Sequence, residues 1–252
     1  MTPVLYLHGF ASGPASSKAR FLRERLEKAG AEVQVPDLSA GDFEHLTLTG
    51  QLAVIERTAA GRPMSLVGSS MGGYLAALYA ARHREVARVV LMAPAFDFAR
   101  RWAEYLGPEK VAEWRRTGTL EVFHYGENRT RLLRYGLMED AARCEPWPDF
   151  SQPALIFHGA HDDVVPAALA TRFAGTHPNV RLEILDSGHE LLNVLEYLGE
   201  KIEEFLVTPA AAPPSDPVVK PSAPAGYTAL SASRRSSPIA RVSVSGSCAA
   251  TP

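Results

Sequence analysis

Short apolar runs and longer amphipathic segments alternate along the first 207 residues. Six short runs rich in Val, Leu and Ile predict buried β-strands, at residues 4–8, 33–35, 64–67, 89–92, 154–157 and 180–185. Between them, apolar residues recur every three or four positions, which predicts helices at residues 14–29, 47–60, 68–83, 166–174 and 190–206. This alternation predicts a mostly parallel six-stranded sheet covered on both faces, a three-layer α/β/α sandwich.

One interval between strands is too long to be a single crossover helix. It contains all three tryptophans of the chain and several tyrosines and phenylalanines. Long connections of this kind usually serve function, and ligands of parallel sheets bind at the carboxyl ends of the strands. We therefore predict a small helical lid at residues 98–150 over that edge. Trp102, Tyr105 and Trp114 are candidate residues of an apolar acyl pocket, and the other aromatic residues would pack the lid onto the sheet.

The composition changes after residue 207. The remaining segment holds eight of the 19 prolines, many alanines and serines, and a single aromatic residue, Tyr227. Such a composition cannot bury enough apolar surface to offset the entropy of ordering. We predict one folded domain at residues 1–207 and a disordered tail at residues 208–252.

Composition and charge exclude several classes of function. The formal net charge of −2 gives no electrostatic basis for binding nucleic acid. No apolar run reaches the roughly 18 residues needed to span a membrane. Two cysteines, Cys144 and Cys248, are too few for a disulfide framework, and the N-terminus lacks a basic leader. We expect a cytoplasmic protein that acts on a small molecule; the oligomeric state is left open.

The segment LVGSSMGGYL carries the most specific chemical pattern of the chain. A strand that ends in Gly-x-Ser-x-Gly and turns directly into a helix is typical of a nucleophile elbow. Only Ser70 has glycines two positions away on both sides, at Gly68 and Gly72. Side chains at those positions would clash in the strained turn that such a serine occupies. We predict that Ser70 is a nucleophile and that its neighbour Ser69 is simply a small residue that the turn accommodates.

A serine hydroxyl needs a base, and the base needs an acid to orient it. His189 directly follows the last predicted strand, where the base belongs in the chain order Ser, acid, His. The acid is expected after the preceding strand, where Asp162 and Asp163 are adjacent. We assign Asp162 by its spacing from the next helix, with Asp97 as the alternative acid.

Two backbone N–H groups are candidates for an oxyanion hole. One belongs to Met71, which follows the predicted nucleophile, and the other to Phe10, in the loop after the first strand. Gly9 would permit the close approach of that loop, and His8 is interpreted as a structural residue.

A metal site is the alternative interpretation of the segment around Asp162. His158, His161, Asp162 and Asp163 all carry potential ligand atoms. They lie on one strand and the loop after it, without further matched ligands elsewhere. We therefore predict no metal and no cofactor.

Four segments together resemble the α/β-hydrolase superfamily: YLHGFASGPASSKA, LVGSSMGGYLAALYA, HGAHDDVVP and DSGH. The opening HGF-x-S-x-P-x-S-x-K-A is similar to the YqiA-type bacterial esterases. The HDDVVP segment and the tryptophan-bearing lid also resemble small acyl-protein thioesterases and acyl-glucuronide esterases. The resemblance covers about residues 2–206 and implies an esterase or thioesterase without a cofactor. The chain starts directly at the strand before the oxyanion loop, without the antiparallel strands usual in the superfamily.

The combined interpretation is a serine hydrolase that cleaves carboxylic esters or thioesters through an acyl-enzyme. A peptidase or an acyltransferase could use the same three residues, and a non-catalytic binding protein could retain the fold. Binding proteins of this fold usually lose one member of the triad, whereas all three positions are filled here.

Overall fold

The fold is described from a computed structural model over residues 2–207. The predicted disordered tail, residues 208–252, lies outside the described residues. The described part contains a six-stranded parallel sheet and a separate two-stranded hairpin. The strands of the sheet are β1 (Val4–Leu7), β2 (Val33–Gln34), β3 (Met64–Ser69), β4 (Val86–Met92), β7 (Ala154–Gly159) and β8 (Val180–Leu185).

All six predicted strands are present, in the spatial order β2-β1-β3-β4-β7-β8. Every residue of β1, β3 and β7 is buried, as expected of parallel strands covered on both faces. Consecutive residues of a strand point to opposite faces. Leu66 accordingly packs into the core on one face and Val67 into the core on the other.

Helices cover both faces and complete the three predicted layers. The helices packed on the sheet are α1 (Ser17–Lys28), α2 (Leu48–Ala59), α3 (Met71–Arg82), α7 (Ala167–Thr176) and α8 (Leu195–Val207). Helices α1 and α8 lie on one face, and α2, α3 and α7 lie on the other. The last helix begins later than predicted, after a short 3₁₀ turn at Leu192–Val194. Leu191, just before that turn, is buried with a positive φ of 55°, so the chain bends sharply there.

The insertion between β4 and β7 is helical only in part, which corrects the prediction of a helical lid. Its elements are α4 (Phe98–Leu106), α5 (Pro108–Thr117), the hairpin strands β5 (Thr119–His124) and β6 (Arg129–Arg134), and α6 (Gly136–Ala141). The hairpin is antiparallel and its residues alternate between buried and exposed sides. In the sequence, the alternation of polar and apolar residues and the presence of β-branched and aromatic residues could have indicated these two strands.

The insertion contacts the loops that follow β1 and β2. The backbone N–H of Tyr125, beyond the end of β5, donates to the carbonyl of Ala11 across 2.8 Å. The N–H of Arg134 donates to the carbonyl of Glu44, also across 2.8 Å. The insertion is therefore attached at the carboxyl ends of the strands, on the β1 side of the sheet.

None of the helices in residues 2–207 has the length and apolar character to cross a membrane.

Candidate active site

Ser70 occupies a strained turn between β3 and α3. Its backbone has a φ of 53° and a ψ of −116°, a conformation that L-residues rarely adopt. A Cβ atom at Gly68 would overlap the backbone of Gly72, and a Cβ at Gly72 would overlap the carbonyl of Leu7. The two glycines allow the helix to start directly against β1, and this close packing leaves the Ser70 side chain at the sheet edge.

A continuous chain of hydrogen bonds joins the three residues predicted as a triad. His189 Nε2 lies 3.0 Å from Ser70 Oγ, and His189 Nδ1 lies 2.8 Å from Asp162 Oδ2. With its proton on Nδ1, the imidazole donates to the carboxylate and its Nε2 accepts the hydroxyl proton of Ser70. The structure therefore brings together side chains that are 119 and 27 positions apart in the chain.

The Asp162 carboxylate is fully buried and held by several donors. Its Oδ1 accepts from the backbone N–H groups of Val164 (3.0 Å) and Val165 (2.7 Å). Burial alone would raise the pKa of Asp162, but hydrogen bonds from His158, His189 and the Val165 N–H hold it well below its usual range. The side chain is thus an anion, in the ionisation state needed to orient an imidazole.

His158 is a residue of this site that the sequence did not identify as one. It is the penultimate residue of β7 and is fully buried, and its Nε2 lies 2.7 Å from the Val165 carbonyl and 3.1 Å from Asp162 Oδ2. The His158 and His189 rings therefore both contact the same carboxylate oxygen of Asp162. In the sequence, only the spacing of four residues between His158 and Asp162 pointed to this contact. The two side chains meet because the loop after β7 folds back on the strand.

The other candidate residues near the predicted acid do not hydrogen-bond His189. Asp97 accepts a hydrogen bond from Arg100 across 2.5 Å, at the start of α4. Asp163 is exposed to solvent, and His161 pairs with the exposed Asp186. Within residues 2–207, no group of three or more His, Cys, Asp or Glu side chains is arranged to hold a metal ion.

The two candidate oxyanion donors flank the Ser70 side chain. Met71 begins α3, and the loop with Phe10 passes so close that a Cβ at Gly9 would lie 3.5 Å from the Cβ of Ser70. Neither the Phe10 nor the Met71 N–H donates to an acceptor within the described residues. His8 accepts from the Leu38 N–H through Nε2 across 3.2 Å, and its Nδ1 lies 3.0 Å from the Gly9 carbonyl.

His8 is a neutral, structural residue of this loop. Burial lowers its pKa, and both of its ring nitrogens are engaged with backbone groups. This matches the role that we interpreted from the sequence.

Of the three candidate pocket residues, one contacts the site. The Trp102 ring meets the ring of Phe10 edge-on, with centroids 4.9 Å apart. Trp114 is only 1% exposed, and its Nε1 donates to the Leu133 carbonyl, so it belongs to the core of the insertion. Tyr105 is 74% exposed on α4. The assignments of Trp114 and Tyr105 to a pocket are therefore corrected, because an aromatic residue in a lid can equally fill its core or face solvent.

Comparison with solved structures gives the same fold at low sequence identity. Alpha/beta hydrolase domain-containing protein 10 from mouse matches with a TM-score of 0.69 and 20% identity, over 81% of this chain and 89% of that one. Est1E from Butyrivibrio proteoclasticus matches with a TM-score of 0.63 and 21% identity, over 81% and 87%. The monoacylglycerol lipase of Paleococcus ferrophilus matches with a TM-score of 0.64 and 19% identity, over 81% and 95%.

These likenesses confirm the predicted α/β-hydrolase fold and its six-stranded sheet. A sequence-family model also matches residues 3–207, almost the whole of the described part. The resemblance noted from the opening motif is confirmed at the level of this family. The chain belongs to the uncharacterised protein family UPF0227.

Proposed function

We propose that this protein is a serine hydrolase that cleaves carboxylic esters or thioesters through Ser70, His189 and Asp162. The observation that carries the proposal is the unbroken hydrogen-bonded path from Ser70 Oγ through both ring nitrogens of His189 to a buried carboxylate. A hydroxyl, an imidazole and an acid in this order form the arrangement that generates a serine nucleophile at neutral pH.

The reaction begins when Ser70 Oγ attacks the carbonyl carbon and His189 Nε2 takes the hydroxyl proton. Asp162 stabilises the imidazolium that forms and keeps its Nδ1–H directed at the carboxylate. His189 then returns the proton to the leaving alcohol or thiol as the tetrahedral intermediate collapses to an acyl-enzyme. Water, deprotonated by the same imidazole, attacks the acyl-enzyme and releases the acid.

The negative charge of each tetrahedral intermediate needs donors that are already in place. The N–H groups of Met71 and Phe10 flank Ser70 and donate to no other described residue, so they are suited to bind the oxyanion. Losing one donor of this kind costs on the order of 10²- to 10³-fold in rate.

The substrate class is inferred from the walls of the site and from the fold relatives. The Trp102 and Phe10 rings form an apolar wall next to the proposed oxyanion donors, which favours an apolar acyl group. Est1E, of the same fold, has been solved with ferulic acid bound, and another neighbour is a monoacylglycerol lipase. Both observations favour an ester with a hydrophobic acyl part.

Covalent labelling tests the proposal directly. We expect a fluorophosphonate probe to label the wild-type protein at Ser70 and the Ser70→Ala variant not at all. Ser65→Ala removes a buried serine from β3, the strand that precedes Ser70, and is the matched control, which should label as the wild type does. Labelling that survives in Ser70→Ala, or no labelling of the wild type, contradicts the proposal.

A substrate panel separates the reactions that this triad supports. We expect hydrolysis of p-nitrophenyl acyl esters, and we include acyl-CoA thioesters and aminoacyl p-nitroanilides. Rates should fall on the order of 10⁴- to 10⁶-fold in Ser70→Ala. Turnover of the anilides alone would reassign the protein as a peptidase, and acyl transfer to added alcohols in preference to water would reassign it as an acyltransferase.

A further inference from the structure

The residue before the proposed nucleophile is engaged in a buried polar cluster. Ser69 is the last residue of β3 and shares the strand's alternation with Val67, so its side chain points to the face covered by α1 and α8. The ammonium of Lys18 donates to Ser69 Oγ across 3.1 Å. Burial raises the pKa of Tyr6 on the same face, and the neighbouring Ser69 side chain partly opposes that shift. Ser69 therefore does more than fit a turn that demands a small residue.

Lys18 is an unusual residue to bury. It is only 7% exposed, and within the described residues Ser69 is the hydrogen-bond acceptor of its ammonium group. Burial lowers the pKa of Lys18, and the negative charges of Glu190 and Asp162 partly oppose that shift. Burying an ammonium costs several kcal/mol, and an apolar side chain of similar size is often neutral or stabilising in its place. Stability of the fold alone therefore does not explain this lysine.

The positions of the two partners in the chain suggest what they do. Tyr6 lies near the end of β1, and Lys18 lies in the first turn of α1. Between them runs the loop, residues 8–16, that carries Phe10 across the site. The α1 end of this loop is thus hydrogen-bonded to Ser69 through Lys18, and towards its other end a Cβ at Gly9 would lie 3.4 Å from the Ser69 carbonyl.

We propose that Lys18 and Ser69 form a brace that sets the distance between the Phe10 N–H and the Ser70 hydroxyl. The brace ties the α1 end of the oxyanion loop to the residue next to the nucleophile. Its members are positioning residues, since they act through Phe10 and Ser70. This inference rests on the proposed serine-hydrolase function. A donor displaced by about 1 Å can cost on the order of 10²-fold in rate, so the brace matters to catalysis more than to folding.

A double-mutant cycle tests the brace with Lys18→Met, Ser69→Ala and the double variant. In hydrolysis of p-nitrophenyl butyrate, each single change should lower kcat about 10- to 100-fold and leave KM within about threefold, because only the transition state loses a donor. The double variant should be no slower than the slower single variant, since both changes break the same contact. The Ki of a trifluoromethyl ketone should rise by the factor by which kcat/KM falls.

Two matched controls isolate the effect. Lys28→Met makes the same chemical change at an exposed position of the same helix, and Ser65→Ala removes a buried hydroxyl from the same strand. Both should retain the wild-type kcat. Lys18→Met should melt at or above the wild-type temperature, which a purely structural lysine would not do.

The outcomes distinguish failure of the brace from failure of the proposed function. A wild type that reacts with a fluorophosphonate, together with brace variants of unchanged kcat, overturns the brace alone. A wild type without labelling or turnover overturns the serine-hydrolase function and the brace with it. Hydrogen exchange is the readout independent of activity: residues 8–16 should exchange faster in Ser69→Ala than in Ser65→Ala. Equal exchange in the two variants also overturns the brace.

Discussion

The central sheet and the insertion between β4 and β7 differ in how they are buried. All residues of β1, β3 and β7 are buried, whereas the hairpin β5–β6 alternates between covered and exposed residues, with Phe123 and Tyr125 facing solvent. The three proposed catalytic residues follow strands β3, β7 and β8. The insertion contributes Trp102 and a few backbone hydrogen bonds to the oxyanion loop.

The proposed chemistry therefore belongs to the rigid sheet edge, and the proposed substrate wall belongs to the insertion. Side chains directly after the strands of a closely packed sheet are held in fixed positions. Catalysis requires such fixed positions. A hairpin covered on one face tolerates change on the other, so it is suited to forming a wall. Substitutions at the sheet edge should therefore change the rate, and those in the insertion should act according to burial.

The largest effect should come from the sheet edge. His189→Ala removes the proposed base and should lower kcat/KM for acyl esters on the order of 10⁴-fold or more, without a large change in melting temperature. Steady-state rates and a thermal melt measure both. His161→Ala, an exposed histidine on a neighbouring loop, is the matched control and should retain activity. Turnover that persists in His189→Ala would contradict the sheet-edge site.

Substitution of Trp114 should destabilise the protein as substitution of a core residue does. Trp114→Ala removes a fully buried indole and its hydrogen bond to the Leu133 carbonyl. We expect a loss of about 3–5 kcal/mol in the free energy of unfolding, from the lost burial and the cavity left behind. Urea unfolding measures it, with the exposed Phe123→Ala as the control. Similar small losses in both variants would mean that the insertion has no core of its own.

The contribution of Asp162 to the stability of the protein should depend on pH. Its folded pKa is depressed below the ordinary value of about 3.9, so its stabilising contribution is present above about pH 4 and is lost as pH falls through the folded value. Asp162→Asn lacks this contribution. The difference in melting temperature between wild type and variant should therefore shrink as pH falls below about 4.

The adjacent exposed Asp163 supplies the control for this pH experiment. Asp163→Asn should follow the wild-type profile more closely than Asp162→Asn does, because Asp163 lacks the burial and the two histidine and two backbone donors of its neighbour. A gap between wild type and Asp162→Asn that stays constant from pH 7 to pH 3 would contradict the assignment of the depressed pKa to Asp162.

The smallest effects should come from the outer surface of the insertion. Tyr105→Ala changes a residue that is 74% exposed and should alter stability by no more than about 0.5 kcal/mol, with kcat/KM within twofold. Trp102→Ala, one helical turn away, removes the ring that contacts Phe10 and should raise KM several-fold for long acyl esters. Equal kinetics for the two variants would remove Trp102 from the substrate wall.

The sequence predicted the sheet well because its strands have to be apolar on both sides. Residues 154–157 are a continuous apolar run and residues 64–67 are apolar except for Ser65, and each proved to be a buried strand. The hairpin was missed because its alternation is short and lies among helical segments rich in charged residues. Tyr105 and Trp114 were assigned to a pocket by residue type alone, which does not distinguish an exposed ring from a buried one.

The site was predictable to the extent that chain order reflects spatial order. Ser70, Asp162 and His189 each follow a strand of a parallel sheet, so their convergence at one edge followed from topology. His158 and Lys18 could not be identified in this way. Their partners, Asp162 and Ser69, become neighbours only when a loop folds back on its strand or a helix packs across the sheet.

The layered fold, the turn that isolates Ser70 and the order of the three proposed catalytic residues could thus be predicted from the sequence. These features follow from local sequence pattern, because the spacing of apolar residues, the positions of glycines and the succession of strands can be read directly along the chain. Three contacts became visible only in the folded chain: the carboxylate of Asp162 facing His189, the ring of Trp102 against Phe10, and the ammonium of Lys18 bound to Ser69. Such contacts join side chains that are distant in the chain, and packing rather than residue type selects them.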